Sequence, residues 1–158
     1  MATVLIAEDD GMIAGDLEDI LIEAGFEVCG VAGSVAQAIR LGQQCRPDLG
    51  LIDLHLRYGE LGTDIAAALC PGTRFGVLYA TGNPDHPLLA QAPGVGCIGK
   101  PYSAWSVLAA LRVVGDIAAG RPVQTPGPRG FRLLREAGAI SAAVTPVAAD
   151  QGLRTACR

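Results

Sequence analysis

Short apolar segments alternate with amphipathic ones along the first 120 residues of the chain. Thr3–Ala7 and Leu49–Asp53 are nearly continuous apolar runs that stop at acidic residues, which is typical of buried parallel strands. Ile13, Leu17 and Leu21 recur at helical spacing between them. Extended along the chain, the pattern predicts strands at 3–7, 26–32, 49–53, 74–80 and 94–99, and helices at 13–24, 35–44, 61–69, 86–91 and 104–118.

Turn and capping residues punctuate this pattern at the expected places. Ser34, with Gln37 three residues later, is a capping-box signature for the second helix, and Ser103 caps the fifth. Gly25 is a stop signal for the first helix. Strands that alternate with helices through short connections predict an α/β fold: a doubly wound, five-stranded parallel sheet with helices on both faces, of the flavodoxin-like (βα)5 kind.

The charge balance changes near residue 120. Residues 1–120 carry 14 acidic and 6 basic side chains, whereas six arginines and only two acids lie in 121–158, and the whole chain has a net charge of −4. The second segment also contains four prolines. We therefore expect one domain over 1–120 and a C-terminal tail over 121–158, with one short helix around 131–140 and otherwise flexible.

Composition argues against several classes of protein. The five cysteines show no C-x-x-C spacing, which argues against a disulfide framework or a zinc site and favours reduced thiols. The N-terminus has no basic segment followed by a long apolar run, and no apolar stretch reaches 18 residues. The expectation is a cytoplasmic protein that binds neither membrane nor nucleic acid.

The polar residues of chemical interest all follow predicted strands. Glu8 and Asp9 follow the first strand, Asp53 ends the third, Thr81 follows the fourth and Lys100 follows the fifth. Ligands of open α/β sheets bind outside the carboxyl ends of the strands, so these residues should converge on one pocket.

These residue types suit phosphoryl transfer. Carboxylates that share a pocket repel one another unless a hard cation is present, and Mg²⁺ prefers such oxygen ligands. An aspartate can act as the nucleophile that forms an aspartyl phosphate. Lys100 is the only lysine in a chain that otherwise uses arginine, which indicates a specific need for a compact ammonium group. Pro101 makes a cis bond plausible after it.

Four sequence pieces together resemble the receiver domain of bacterial two-component response regulators. They are VLIAEDD at 4–10, Asp53 at the end of a strand, Ala80-Thr81-Gly82, and Lys100-Pro101-Tyr102. The resemblance covers residues 3 to about 119. Tyr79-Ala80-Thr81-Gly82 also resembles the motif of single-domain receivers with an aromatic-Ala-Thr-Gly sequence, although Asn83 stands where those proteins usually have tyrosine.

The resemblance implies a role for each matching residue. Asp53 would be the phosphoacceptor. Asp9 and Asp53 would hold Mg²⁺, as would Glu8 largely through water and His55 through its main-chain carbonyl. Thr81 would be the switch hydroxyl and Lys100 the phosphate-binding ammonium.

One departure concerns the position three residues before the lysine. The family usually has Tyr or Phe there, and this chain has Cys97, which is most simply a small buried hydrophobic residue. Tyr79 or Tyr102 are candidates to take over the role of the missing aromatic.

Several alternatives stay open at the level of the sequence. Asp9 and Asp10 are also consistent with a simple helix N-cap. The leading function is a signalling module, not a turnover enzyme, phosphorylated by a sensor histidine kinase or a histidine phosphotransfer protein and acting through protein contact or a phosphorelay. The alternatives are a pseudo-receiver that binds proteins without phosphorylation, and an aspartate-nucleophile phosphatase. The phosphatase is disfavoured because His55, not an acid, stands two residues after Asp53.

A homodimer is a further expectation. Receivers often dimerise through the face formed by the fourth helix, fifth strand and fifth helix, and the C-terminal tail is a second candidate. Trp105, the only tryptophan, is predicted on the outer face of the fifth helix, where a partner contact and a partly covered surface aromatic are equally consistent.

Overall fold

The computed structural model describes residues 1–124 and 126–134. Its strands are β1 (Thr3–Ala7), β2 (Glu27–Ala32), β3 (Leu49–Asp53), β4 (Gly76–Thr81), β5 (Gly96–Gly99) and β6 (Phe131–Leu133). Its helices are α1 (Gly11–Glu23), α2 (Val35–Cys45), α3 (Gly62–Leu69) and α4 (Ala104–Ala118), with short 3-10 turns at Arg57–Gly59 and Pro87–Ala90. The predicted caps are confirmed, since the hydroxyls of Ser34 and Ser103 accept hydrogen bonds from the first turns of α2 and α4.

The sheet has the order β2-β1-β3-β4-β5-β6, and β1 to β5 are parallel. The chain reverses its direction of strand addition at β1, which makes the carboxyl ends of β1 and β3 the switch point of this fold. Ala7 pairs with Ile52 and Asp53 pairs with Ala80, so the ends of three strands lie side by side. The predicted α/β class, with helices on both faces, is confirmed.

Two apolar layers hold the helices against the sheet. α1 and α4 pack on one face, where Leu17, Leu21, Val107 and Leu111 are at most 4% exposed. α2 and α3 pack on the other face, through residues such as Ile65. Because the interior strands are covered on both faces, their sequences read as continuous apolar runs instead of alternating ones.

The number of strands was predicted wrongly. β6 lies in the tail, beyond the composition break at residue 120, and pairs antiparallel with β5. The helix predicted around 131–140 is wrong over 131–133, which form this strand; residues 135–140 lie outside the described residues. Three residues of alternating apolar and polar character fit either structure locally, and the open edge of β5 decides between them.

β6 is fastened to the sheet at several points. Phe131 packs over Gly96, and the Gly99 N–H donates to the Gly130 carbonyl at 3.0 Å. Arg132 forms an ion pair with Asp85 at 2.6 Å and a hydrogen bond to the Pro84 carbonyl. The outer edge of β5 is therefore covered by the chain itself.

The fourth predicted helix is only a single 3-10 turn, Pro87–Ala90. Pro87 begins this turn and Pro93 follows closely, so too few residues lie between them for a regular α-helix. Among the described residues, no helix is long and apolar enough to cross a bilayer.

Candidate functional site

Three carboxylates meet at the carboxyl edge of the sheet. Oxygen atoms of Glu8, Asp9 and Asp53 lie within 4.8 Å of one another. Glu8 and Asp9 leave the end of β1, and Asp53 is the last residue of the neighbouring strand β3. The sequence pattern predicted that these three residues lie together, because neighbouring parallel strands end at the same edge of the sheet.

Asp10 does not belong to this cluster. Its carboxylate accepts hydrogen bonds from the backbone of Met12 at 2.9 Å and Ile13 at 3.3 Å, so it caps α1. The capping alternative that the sequence left open therefore applies to Asp10, while Asp9 turns towards the cluster.

Glu8 is the most deeply buried acid of the site, with only 5% of the residue exposed. Burial raises the pKa of its carboxyl group, although a hydrogen bond from the Asp10 N–H and the charge of Lys100 act in the opposite direction. The Asp10 N–H and the Lys100 charge therefore do not fully offset the cost of burying the negative charge of Glu8.

Both oxygens of Asp53 are engaged. Oδ1 accepts a hydrogen bond from the His55 N–H at 3.2 Å, and Oδ2 lies 2.7 Å from the Lys100 ammonium. Gly62, the first residue of α3, lies directly against the backbone of β3: a β-carbon there would be 2.2 Å from the Asp53 carbonyl oxygen. Close approach of α3 to this strand end requires glycine at 62.

Lys100 is positioned through both its backbone and its side chain. Its N–H donates to the Thr81 carbonyl at 2.8 Å, and its Nζ also lies 3.5 Å from Glu8. Burial alone lowers the pKa of the Lys100 ammonium, but the hydrogen bond to Asp53 and the charges of Asp53 and Glu8 outweigh it, and the pKa is raised. The peptide bond to Pro101 is cis.

The Thr81 hydroxyl lies near the site but is turned towards the following loop. Its Oγ1 accepts a hydrogen bond from the Asn83 N–H at 3.0 Å and lies 3.3 Å from the Asn83 carbonyl. Thr81 is only 2% exposed. A rotation of one side-chain bond is the smallest movement that would free this hydroxyl for another acceptor.

Two features of the rim of the site were not predicted. The Arg57 Nε donates to Asp9 Oδ2 at 3.0 Å, and the rings of His55 and His86 meet edge to face with centroids 5.0 Å apart. Both contacts join loops that are distant in the sequence. No local sequence signal could have shown them, because they depend on how the loops after β1, β3 and β4 are placed.

The candidate replacements for the missing aromatic behave differently. Tyr79 is fully buried beside Cys97 in the sheet, and its hydroxyl donates to the Pro93 carbonyl at 2.6 Å. Tyr102 is partly buried, and burial raises the pKa of its phenol. Cys97 itself is 0% exposed, in agreement with a buried hydrophobic residue, and burial raises the pKa of its thiol.

The carboxylate cluster suits a hard divalent cation. All of its side-chain donors are oxygen atoms, and their close spacing concentrates negative charge that Lys100 alone does not balance. These are the ligands and the charge that Mg²⁺ prefers in proteins. The cluster resembles the metal site of receiver domains in its residues and in its place in the fold.

Comparison with known proteins points to one class. The chain is 33% identical over 114 residues to the phyllosphere-induced regulator PhyR of Methylorubrum extorquens, covering 70% of this chain and 43% of that protein. It is 29% identical over 113 residues to the transcriptional regulatory protein PdtaR of Mycobacterium tuberculosis, covering 70% and 55%. The chain thus spans about half the length of these relatives. No protein-family model matches it.

A solved structure agrees with these relatives. The receiver (REC) domain of the PhyR response regulator of Erythrobacter litoralis matches with a TM-score of 0.64 and 25% identity, over 80% of this chain and 95% of that one. Fold, site and relatives define a signalling domain with an acidic pocket at the switch point. The chain carries a response-regulator receiver domain.

Proposed function

We propose that this receiver domain accepts a phosphoryl group on Asp53 in a Mg²⁺-dependent reaction. The donor would be a phosphohistidine of a sensor histidine kinase or a histidine phosphotransfer protein. The observation that supports this proposal most directly is the Asp53–Lys100 contact of 2.7 Å inside a cluster of three carboxylates. Output would be a change in protein contacts or transfer of the phosphoryl group along a relay.

Two groups of the proposed reaction, the Asp53 carboxylate and the Lys100 ammonium, are already in contact. An Asp53 carboxylate oxygen attacks the phosphorus, the phosphorus–nitrogen bond breaks, and its electron pair stays on the donor imidazole, which takes a proton from solvent. The Lys100 ammonium donates to an oxygen of the transferring group. Mg²⁺, held by Glu8, Asp9, Asp53 and the His55 carbonyl, would supply charge neutralisation.

Thr81 and Lys100 would change their hydrogen-bond partners when Asp53 is phosphorylated. The Thr81 hydroxyl would leave Asn83 and donate to a phosphoryl oxygen, which releases the loop after β4. Arg132 of β6 holds the same loop through Pro84 and Asp85. A change in the hydrogen bonds of Thr81 would therefore affect the C-terminal strand β6 through this loop.

Intact-mass spectrometry tests the proposal. The wild-type chain, incubated with acetyl phosphate or phosphoramidate and Mg²⁺, should gain the mass of one phosphoryl group, and Asp53→Asn should not. Asp116→Asn is the matched control, because Asp116 is an acid at the far end of α4 that pairs only with a surface arginine among the described residues. It should label like the wild type, and a chelator should abolish labelling in both.

Three results would count against the proposal. Labelling of Asp53→Asn would place the phosphoryl group elsewhere. Absence of labelling from both small donors and from a panel of phosphorylated histidine kinases would favour the alternative, a pseudo-receiver that binds proteins through the same fold. Continuous release of phosphate from a small ester would instead indicate a phosphatase.

We also propose a homodimer. β6 covers the edge of β5, so the exposed part of the predicted dimer face is α4, where Trp105 is 70% exposed. Aromatic residues are enriched at protein interfaces. Light scattering at high micromolar concentration should show a dimer that Trp105→Ala weakens; a monomer in both phosphorylation states would exclude it.

A further inference from the structure

The loop between β3 and α3 carries a second basic side chain to the carboxylate cluster. Its base is closed by pairing of His55 with Leu61 and by a hydrogen bond from the Leu56 N–H to the Glu60 carbonyl at 2.9 Å. The Glu60 carboxylate accepts the Val35 N–H at 3.0 Å, which ties the loop to α2. Arg57 projects from the tip of this closed loop towards Asp9.

The contact made by Arg57 differs from the one made by Lys100. Lys100 is 30% exposed and bridges Asp53 and Glu8, whereas Arg57 is 64% exposed and touches Asp9 through a single Nε contact of 3.0 Å. An exposed ion pair of this kind contributes little free energy, so it can open easily. Lys100 is a fixed cation of the site and Arg57 is a removable one.

Charge counting shows what removal of Arg57 from Asp9 would accomplish. Three carboxylates with two basic side chains leave a net charge of −1 in the cluster. A divalent cation added to this arrangement makes the cluster positive, whereas a cation that displaces Arg57 leaves it near neutral. Arg57 and the cation also require the same carboxylate of Asp9.

We propose that Arg57 is an exchangeable counter-ion of Asp9 that competes with Mg²⁺ and so sets the affinity of the unphosphorylated protein for the cation. This inference rests on the proposed function, since it takes the carboxylate cluster to be the Mg²⁺ site. Arg57 acts through Asp9, so it is a positioning residue. The competition keeps Asp9 paired when the cation is absent.

Calorimetric titration of the full chain with MgCl₂, at about 0.1 M ionic strength and without phosphoryl donor, tests the proposal. Arg57→Ala should bind Mg²⁺ roughly three- to tenfold more tightly than the wild type, since a unit charge about 6 Å from a divalent ion has this order of effect in screened water. Arg57→Lys keeps the charge and should return most of the way to the wild-type affinity.

Arg121→Ala is the matched control. Arg121 pairs with Asp116 at 2.9 Å and is 63% exposed, almost the same as Arg57, but it lies after α4, away from the cluster. Its Mg²⁺ affinity should stay within about twofold of the wild type, because the charges are separated by more than a screening length.

A second readout follows the exchange directly. In the wild type the Arg57 Nε–H resonance should shift and exchange faster with water when Mg²⁺ is added, while that of Arg121 should not. Equal affinities of wild type and Arg57→Ala, or equal tightening in Arg121→Ala, would overturn the competition but leave the proposed function intact. Absence of Mg²⁺ binding in every variant would overturn the proposed metal site as well.

Discussion

Gly62 offers the sharpest test of how the fold positions the phosphoacceptor strand. A β-carbon at this residue would lie 2.2 Å from the Asp53 carbonyl oxygen and 2.6 Å from Ile52 Cγ2. Ordinary contacts are more than 3.4 Å, so α3 or the end of β3 would have to move by about 1 Å. Overpacking of this kind costs about 1–3 kcal/mol, and a contact with backbone falls towards the upper end.

Gly15→Ala is the matched comparison. Gly15 lies inside α1 and has open space where a β-carbon would stand, so alanine there should stabilise the protein by about 0.5–1 kcal/mol through helix propensity. The two substitutions have the same chemistry and opposite expected signs. Their unfolding free energies should differ by about 3 kcal/mol.

Urea unfolding followed by circular dichroism, in chelator to remove bound cations, measures this difference. With a slope of about 1.5 kcal/mol per molar urea, the two midpoints should lie about 2 M apart. If Gly62→Ala and Gly15→Ala unfold within about 0.5 kcal/mol of each other, the close approach of α3 to Asp53 is not as the structure has it.

Three further predictions concern charge. Burial raises the pKa of Glu8, so ionisation of this carboxyl group costs stability once the pH rises above 4.5, its ordinary pKa. In chelator, Glu8→Gln should therefore raise the urea midpoint at pH 7 and lose this advantage below pH 4.5. An unchanged midpoint at pH 7 would contradict the prediction. Because the pKa of Lys100 is raised, the stabilising effect of its ammonium group is complete below pH 10.5. In the same unfolding assay, Lys100→Met should therefore lower stability at pH 7 by about 1.5–3 kcal/mol. No loss of stability would show that the contact with Asp53 is not formed. Arg132→Ala removes an exposed ion pair with Asp85 and should leave global stability nearly unchanged. Hydrogen exchange of the β6 amides should nevertheless become faster in the variant than in the wild type, while that of the β4 amides stays the same. Equal protection of β6 in variant and wild type would show that this contact does not hold the strand.

The C-terminal strand shows how far sequence reasoning extends. Nothing in Phe131-Arg132-Leu133 distinguishes a strand from a helical turn, and the change in charge near residue 120 indicated a boundary before it. The strand forms because β5 leaves an open edge and because Pro84 and Asp85 offer partners to Arg132. Both reasons are non-local, so a pattern read along the chain could not contain them.

The sequence by itself determined the α/β class, the five parallel strands and the meeting of Glu8, Asp9, Asp53 and Lys100, because buried parallel strands have a distinct apolar pattern and their ends must lie together. Tertiary structure alone decided the sixth strand, the turn of the Thr81 hydroxyl towards Asn83, and the pairing of Arg57 with Asp9. Periodicity encodes which face of an element is buried. The direction of a single side chain at a loop end depends on neighbours that the fold brings from far along the chain.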